Sequence, residues 1–177
     1  MPVDIRSRKL AQLAVRYSVA VKPGEKVIIS GGNEAMDFLV ELYKEIILQK
    51  AIPIVRVNLP NVSDFFYKYA DENQLKFFPQ YWMDTVKDAQ AYIGISSDLN
   101  TRELTSSDSK KITTRGKIMH PISDYIVNTH DKIRRVSIAY PCVALAQEAE
   151  MSLSEYENFV YNACLIDWKK FGKRLDK

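Results

Sequence analysis

A doubly wound α/β fold, with a mostly parallel sheet of at least four strands flanked by helices, is what this sequence predicts. Two observations carry that expectation. Short β-branched runs alternate with longer amphipathic stretches from end to end. Strands separated in this way by helices pair in parallel through right-handed crossovers, and Gly and Pro punctuate the joins. The 177 residues suit one domain, and the 46% hydrophobic content supplies one core.

The elements follow in order. Leu10, Leu13, Ala14 and Tyr17 recur at helical spacing and predict a first amphipathic helix. Pro23-Gly24 breaks it before the β-branched run 26–30, a buried strand. Gly31-Gly32 then reads as a tight turn, with Asn33 capping the next helix. In that helix Ala35, Phe38, Leu39, Leu42, Tyr43, Ile46 and Ile47 form one apolar stripe. Asp37, Glu41 and Glu45 make an acidic ladder beside Lys44, read as the solvated face. A second strand spans 52–57, with Pro53 near its start, where a missing N–H is tolerated.

Helical segments are expected from Val62 to about Ala89, with Asp71 and Gln74 at capping-box spacing. Residues 91–96 form a third strand and 97–102 a polar loop. Helix resumes near Ser106 or Ser107 and must break or kink around Pro121. Residues 135–140 are the fourth strand, closed by Pro141. Ser152 and Glu155 make a second capping box, ahead of a helix whose Leu153, Tyr156, Phe159, Val160 and Ala163 share a face. Residues 167–177 form a charged amphipathic terminal helix, so the expected division is an α/β domain over 1–166 and a terminal helix over 167–177.

Composition narrows the function. The charge is +3, from 25 basic and 22 acidic residues, and demands no polyanionic partner. The basic groups Lys110, Lys111, Arg115, Lys117 and Lys132, Arg134, Arg135 are interleaved with Ile, Thr and Ser rather than aromatics, so no nucleic-acid partner is expected. No apolar run approaches the ~18 residues of a membrane span. The start, residues 1–6, lacks the apolar core of a secretory signal, and a cytoplasmic protein is expected. Cys142 and Cys164 match no metal or redox spacing and read as small buried hydrophobes. His120 and His130, ten residues apart with Pro121 between them, cannot ligate as an i, i+4 pair. No serine occupies a G-x-S-x-G elbow. The chemistry of hydrolysis is not visible in these residues.

Ligands of doubly wound sheets sit beyond the carboxyl ends of the strands. Two loops there carry the candidate ligand-facing residues. Gly31, Gly32 and Asn33 follow a strand as a phosphate-binding turn would, without the GxGxxG or GxxxxGK pattern. Asn100 both donates and accepts hydrogen bonds, and Arg102 offers a planar fork for a carboxylate or phosphate.

Four segments carry a family resemblance: 10–30 with Val21-Lys-Pro-Gly-Glu-Lys-Val27, Asp71-Glu-Asn-Gln-Leu75, Asn100-Thr-Arg-Glu-Leu104, and the most specific, 144–164. Together they resemble the amino-terminal domain of the aminopeptidase T and aminopeptidase S group of metallo-aminopeptidases. The resemblance implies a dimeric exopeptidase acting on peptides with two divalent metals, such as Co or Zn. It places the Glu, His and Asp ligands in a carboxyl-terminal catalytic domain. No position here matches those ligands, so no cofactor is expected in this chain, no catalytic residue transfers to it, and the metal-bearing part is expected beyond Lys177. The alternative is a stand-alone Rossmann-like module binding a small anionic ligand or a protein partner.

Overall fold

The computed structural model describes residues 4–129 and 131–175. Four strands, β1 (Lys26–Gly32), β2 (Ile52–Asn58), β3 (Ala91–Ser96) and β4 (Arg134–Ala139), form one all-parallel sheet in the order β2-β1-β3-β4. The chain steps from β1 outward to β2, then returns past β1 to β3. Crossovers of one hand in opposite directions must lie on opposite faces of the sheet.

The packing follows that rule. On one face α1 (Ile5–Gln12), its π-helical continuation Leu13–Ser18, α2 (Met36–Leu48) and Tyr161 of α8 (Leu153–Cys164) cover Val27, Ile29, Ile93 and Ile95. On the other, α5 (Gln80–Asp88) and α6 (Ser109–Asn128) cover Ile28 with Trp82, Val86 and Ile122, joined by Ile133 just ahead of β4. Successive side chains of β1 thus feed two different cores, and so Val27, Ile28 and Ile29 form an unbroken apolar run. Short helices α3 (Ser63–Tyr69) and α4 (Glu72–Lys76) bridge β2 to α5, α7 (Val143–Glu148) follows β4, and α9 (Trp168–Leu175) ends the described chain.

Local chemistry sets the boundaries. Asp71 with Gln74, and Ser152 with Glu155, close the two capping boxes at the starts of α4 and α8. Asp108 caps α6 by accepting from the N–H groups of Lys110 and Lys111, so that helix starts at Ser109 rather than at Ser106 or Ser107. Pro121 does not break it: α6 runs on to Asn128. Proline removes one helical hydrogen bond, and Ile122, buried beside it in the second core, holds the helix on the sheet. The fourth strand begins and ends one residue earlier than the sequence suggested.

Two corrections alter the chemistry. Gly31 and Gly32 are not a turn; they continue β1 and pair with Val57 and Asn58. Asn33 caps nothing with its side chain and instead opens a 3-10 turn, Asn33–Ala35, before α2. Of the acidic ladder only Asp37 is exposed; the other two rungs are not on a solvated face. Glu41 and Glu45 are only 3% and 4% exposed, because α1 packs across that side of α2. Each is neutralised: Glu41 accepts from Arg8 Nε at 3.2 Å and Lys44 Nζ at 2.6 Å, and Glu45 from Arg16 Nε at 2.5 Å and Gln49 Nε2 at 3.0 Å. The predicted stripe is rotated to match, leaving Tyr43 and Ile47 on the outside.

The Lys44 ammonium beside it, with Arg8 adding to the effect, holds the Glu41 carboxyl below its ordinary value of 4.5, against the opposing cost of burial. A folded-state pKa that is depressed gives stability present above the unfolded value and lost as pH falls through the folded one. The α1–α2 contact is therefore expected to loosen below pH 4.5, read as falling stability in urea titrations through that range. Glu41→Gln is expected to cost about 1–3 kcal/mol at neutral pH, since it removes charge-assisted hydrogen bonds to a buried carboxylate; chemical denaturation measures it.

Candidate functional site

The carboxyl ends of β1, β2 and β3 meet where the strand order reverses. That reversal parts the loops on either side and leaves a cleft. Here the cleft has a volume of about 520 Å³. Its lining includes Gly32, Asn33, Arg56, Asn58, Ser97, Asp98, Asn100 and Glu103.

Of the five residues singled out from the sequence, three line this cleft and two do not. Gly32 forms part of the wall, where a Cβ would stand 2.8 Å from the carbonyl oxygen of Ser97 and 3.1 Å from its Oγ. Asn33 projects from the start of the following 3-10 turn. Asn100 spends its Oδ1 on the backbone N–H of Arg102, at 2.9 Å, which folds the loop into an Asx turn. Gly31 lies beneath, where a Cβ would stand 2.9 Å from that of Ile95 and 3.2 Å from Leu39 Cδ2. Arg102 turns away to Glu148 of α7, with Nε 3.4 Å from Oε1. The Thr101 hydroxyl donates to the same carboxylate at 2.7 Å. Thr101 first and Arg102 second hold Glu148 below the usual carboxylate range.

The structure adds residues that the sequence reading passed over. Ser97 is 6% exposed, and its Oγ has no hydrogen-bond partner among the described residues. Glu103 receives the N–H groups of Ser63 and Asp64 at 3.1 and 3.3 Å, capping α3 from across the cleft. Arg56 lays its guanidinium over the Trp82 ring, 4.6 Å from the centroid. These links span loops far apart in sequence, so no local spacing announces them. The only signal was Ser97 standing directly after a buried strand.

Glu34, Asp98 and Glu103 outnumber the one cation, Arg56, among the side chains of this lining. The cleft is therefore rich in hydrogen-bond acceptors and amides, and a free anion would meet more repulsion than attraction there. The thiols add no nucleophile. Cys142 is buried and donates to the Asp98 carbonyl, and burial pushes the Cys164 thiol up. His120 is exposed on α6, and His130 lies outside the described residues.

Comparison with known proteins places this architecture. The family model described as thermophilic metalloprotease (M29) matches residues 3–176. The chain belongs to the M29 family. Among solved structures it is similar to wild-type AmpT from Thermus thermophilus, with a TM-score of 0.73 and 18% identity over 90% of this chain. It spans 42% of the length of AmpT. At that identity the likeness shows a shared fold, the same helix-flanked parallel sheet. A likeness to the CurK enoyl reductase, with a TM-score of 0.33 and 9% identity over 90% of this chain and 50% of that one, is too slight to bear on the fold. No curated protein matches the chain.

M29 members are metallopeptidases, and this chain is related to the metallo-aminopeptidases through aminopeptidase T. Metal binding in such an enzyme calls for clustered His, Asp, Glu or Cys side chains. Among the described residues, no three of these stand together as a metal site would require. The described residues do not fit the metal centre that the family implies.

Two glycine substitutions separate close approach from mere flexibility. Gly32→Ala is expected to cost about 1–3 kcal/mol by pushing backbone against backbone at the cleft wall. Gly116→Ala, inside α6 with nothing within 4 Å of the new methyl, is expected to stabilise by about 1 kcal/mol. Thermal or urea denaturation distinguishes the two signs.

Proposed function

We propose that this chain forms the amino-terminal, non-catalytic half of a two-metal aminopeptidase that removes amino-terminal residues from peptides. The observation that carries this reading is a pairing. The M29 match runs from residue 3 to residue 176, yet the described residues offer no three-ligand cluster. In this reading residues 1–166 are an α/β support and 167–177 a terminal segment, carrying α9, that leads toward the catalytic domain.

The role of the chain is then to wall and shape the substrate cavity. Amide side chains at Asn33 and Asn58 can each donate and accept, and Asn100 keeps its NH₂ to donate, which matches the alternating groups of a peptide main chain. Ser97 adds a hydroxyl at the base of the same cleft. The two divalent ions, Co, Zn or similar, belong to the partner domain, and no step of hydrolysis is assigned to a residue of this chain. A cytoplasmic setting is part of the same proposal; among the described residues no helix is long and apolar enough to cross a membrane.

Incubated with Co²⁺ or Zn²⁺, the chain is expected to leave Leu-p-nitroanilide intact. Hydrolysis by the isolated chain would overturn the non-catalytic assignment. The reading frame beyond Lys177 is expected to encode a domain supplying His, Glu and Asp ligands. A stop codon there, with nucleotide-dependent thermal stabilisation that Arg102→Ala abolishes, would establish the stand-alone anion-binding module instead.

A further inference from the structure

A second cavity adjoins the cleft and carries the opposite charge. It has a volume of about 620 Å³ and shares Arg56, Val62 and Ser63 with the cleft, so the two form one furrow. One wall is α3, a seven-residue helix that carries Phe65, Phe66, Tyr67 and Tyr69 and buries none of them. Exposed aromatic side chains scattered singly need no explanation. Four on one short helix, lining a cavity, form apolar surface of the kind that a ligand covers. The helix is tied down at both ends. Glu103 accepts the N–H groups of Ser63 and Asp64, and Lys111 Nζ donates to the Ala70 carbonyl at 3.0 Å. The wall therefore stands preformed.

The charges of the cavity are two arginines that the fold leaves without a counter-ion. Arg6, Arg8, Arg16, Arg102 and Arg134 each meet a carboxylate within 3.4 Å, whereas Arg56 and Arg115 meet none among the described residues. Both guanidiniums are nonetheless held in place. Arg56 lies over the Trp82 ring, and Arg115 donates from Nη1 to the carbonyls of Leu75 and Phe77 at 3.3 and 2.5 Å. Stacking in one case and a single anchored nitrogen in the other leave N–H groups of each fork open to a carboxylate. No acidic side chain lines this cavity, while Glu34, Asp98 and Glu103 line the adjoining cleft. A ligand that spans the furrow thus needs a cationic end for the cleft, an anionic end for the cavity and an apolar group for α3. A short peptide with free termini has all three; a nucleotide lacks the cationic end.

We propose that this cavity binds the carboxyl-terminal residue of a short peptide, with its carboxylate on Arg56 and Arg115, its side chain against the aromatic face of α3, and the peptide's ammonium group in the cleft. The choice of a peptide rests on the aminopeptidase reading above; the carboxylate site itself does not. Short free peptides are then favoured over the amino-terminal ends of long chains.

Calorimetric titration of the purified chain tests this without any catalysis. The tripeptide Gly-Gly-Phe is expected to bind saturably. Its carboxyl-terminal amide, and Gly-Gly-Gly, should each bind about tenfold more weakly, the first for want of the charge and the second for want of the ring. Arg56→Gln, an exposed substitution that leaves the far-UV circular dichroism unchanged, should weaken Gly-Gly-Phe by about the same factor. Arg102→Gln, which removes an arginine paired with Glu148 instead, should bind as the unaltered chain does. The proposal is overturned by an absence of saturation up to on the order of 10 mM peptide, by equal affinity for acid and amide, or by equal losses in the two arginine variants. Phenylpropionate bound as tightly as the tripeptide would overturn it as well, by showing that a free organic acid suffices. Hydrolysis of Leu-p-nitroanilide by the chain would remove the non-catalytic assignment and leave these titrations as they are.

Discussion

The structure turns on how closely the end of β1 approaches β3. At Gly31 and Gly32 no Cβ fits, because Ile95 and the backbone of Ser97 already occupy the space. Strand β1 is flanked by β2 on one side and β3 on the other, so it is the strand at which the order of connection reverses. Its last two residues pair with β2 alone, and Gly31 lies under Leu39 of α2. Glycine is used here for its lack of a side chain rather than for its conformational freedom, since Gly32 has an ordinary extended backbone. The cleft wall inherits this geometry directly.

A second constraint fixes the helical layer above. Two carboxylates buried between α1 and α2 could not stay ionised without partners. Arg8 of α1 and Arg16 of its π-helical continuation supply them, so the ion pairs specify how this helical stretch is rotated against α2. Rotation in turn decides which part of the wide apolar arc of α2 faces the sheet and which part faces out. Burial of Glu41 and Glu45 on one side and exposure of Tyr43 and Ile47 on the other are two consequences of one helix orientation.

Much of this was legible from local signals. Four β-branched runs gave the four strands, and the Asp71–Gln74 and Ser152–Glu155 spacings marked two helix starts to the residue. Failures came where the deciding partner is distant in sequence. Glu41 and Glu45 looked solvated because Arg8 and Arg16 stand 33 and 29 positions away. Gly-Gly after a strand reads as a turn unless the strand that crosses it, some sixty residues later, is known. The site was divided in the same way: Gly32, Asn33 and Asn100 come together, while Arg102 is drawn off by Glu148 on a helix that no local pattern links to it. The family relation supplies what local reading cannot, since the fold shared with AmpT survives at 18% identity.

The division of the interior into two cores gives the molecule two separate optical reporters. Its only tryptophans, Trp82 and Trp168, lie on opposite sides of the sheet. Trp82 is sealed in the second core beneath the Arg56 guanidinium, whereas Trp168 rests beside α8 with its indole N–H on the Cys164 carbonyl. Replacing either by phenylalanine leaves an emission signal belonging to one layer. Loss of the α1–α2–α8 layer could then be followed apart from loss of the α5–α6 layer, and a sheet that sheds one cover before the other would show it as two unfolding curves that do not coincide.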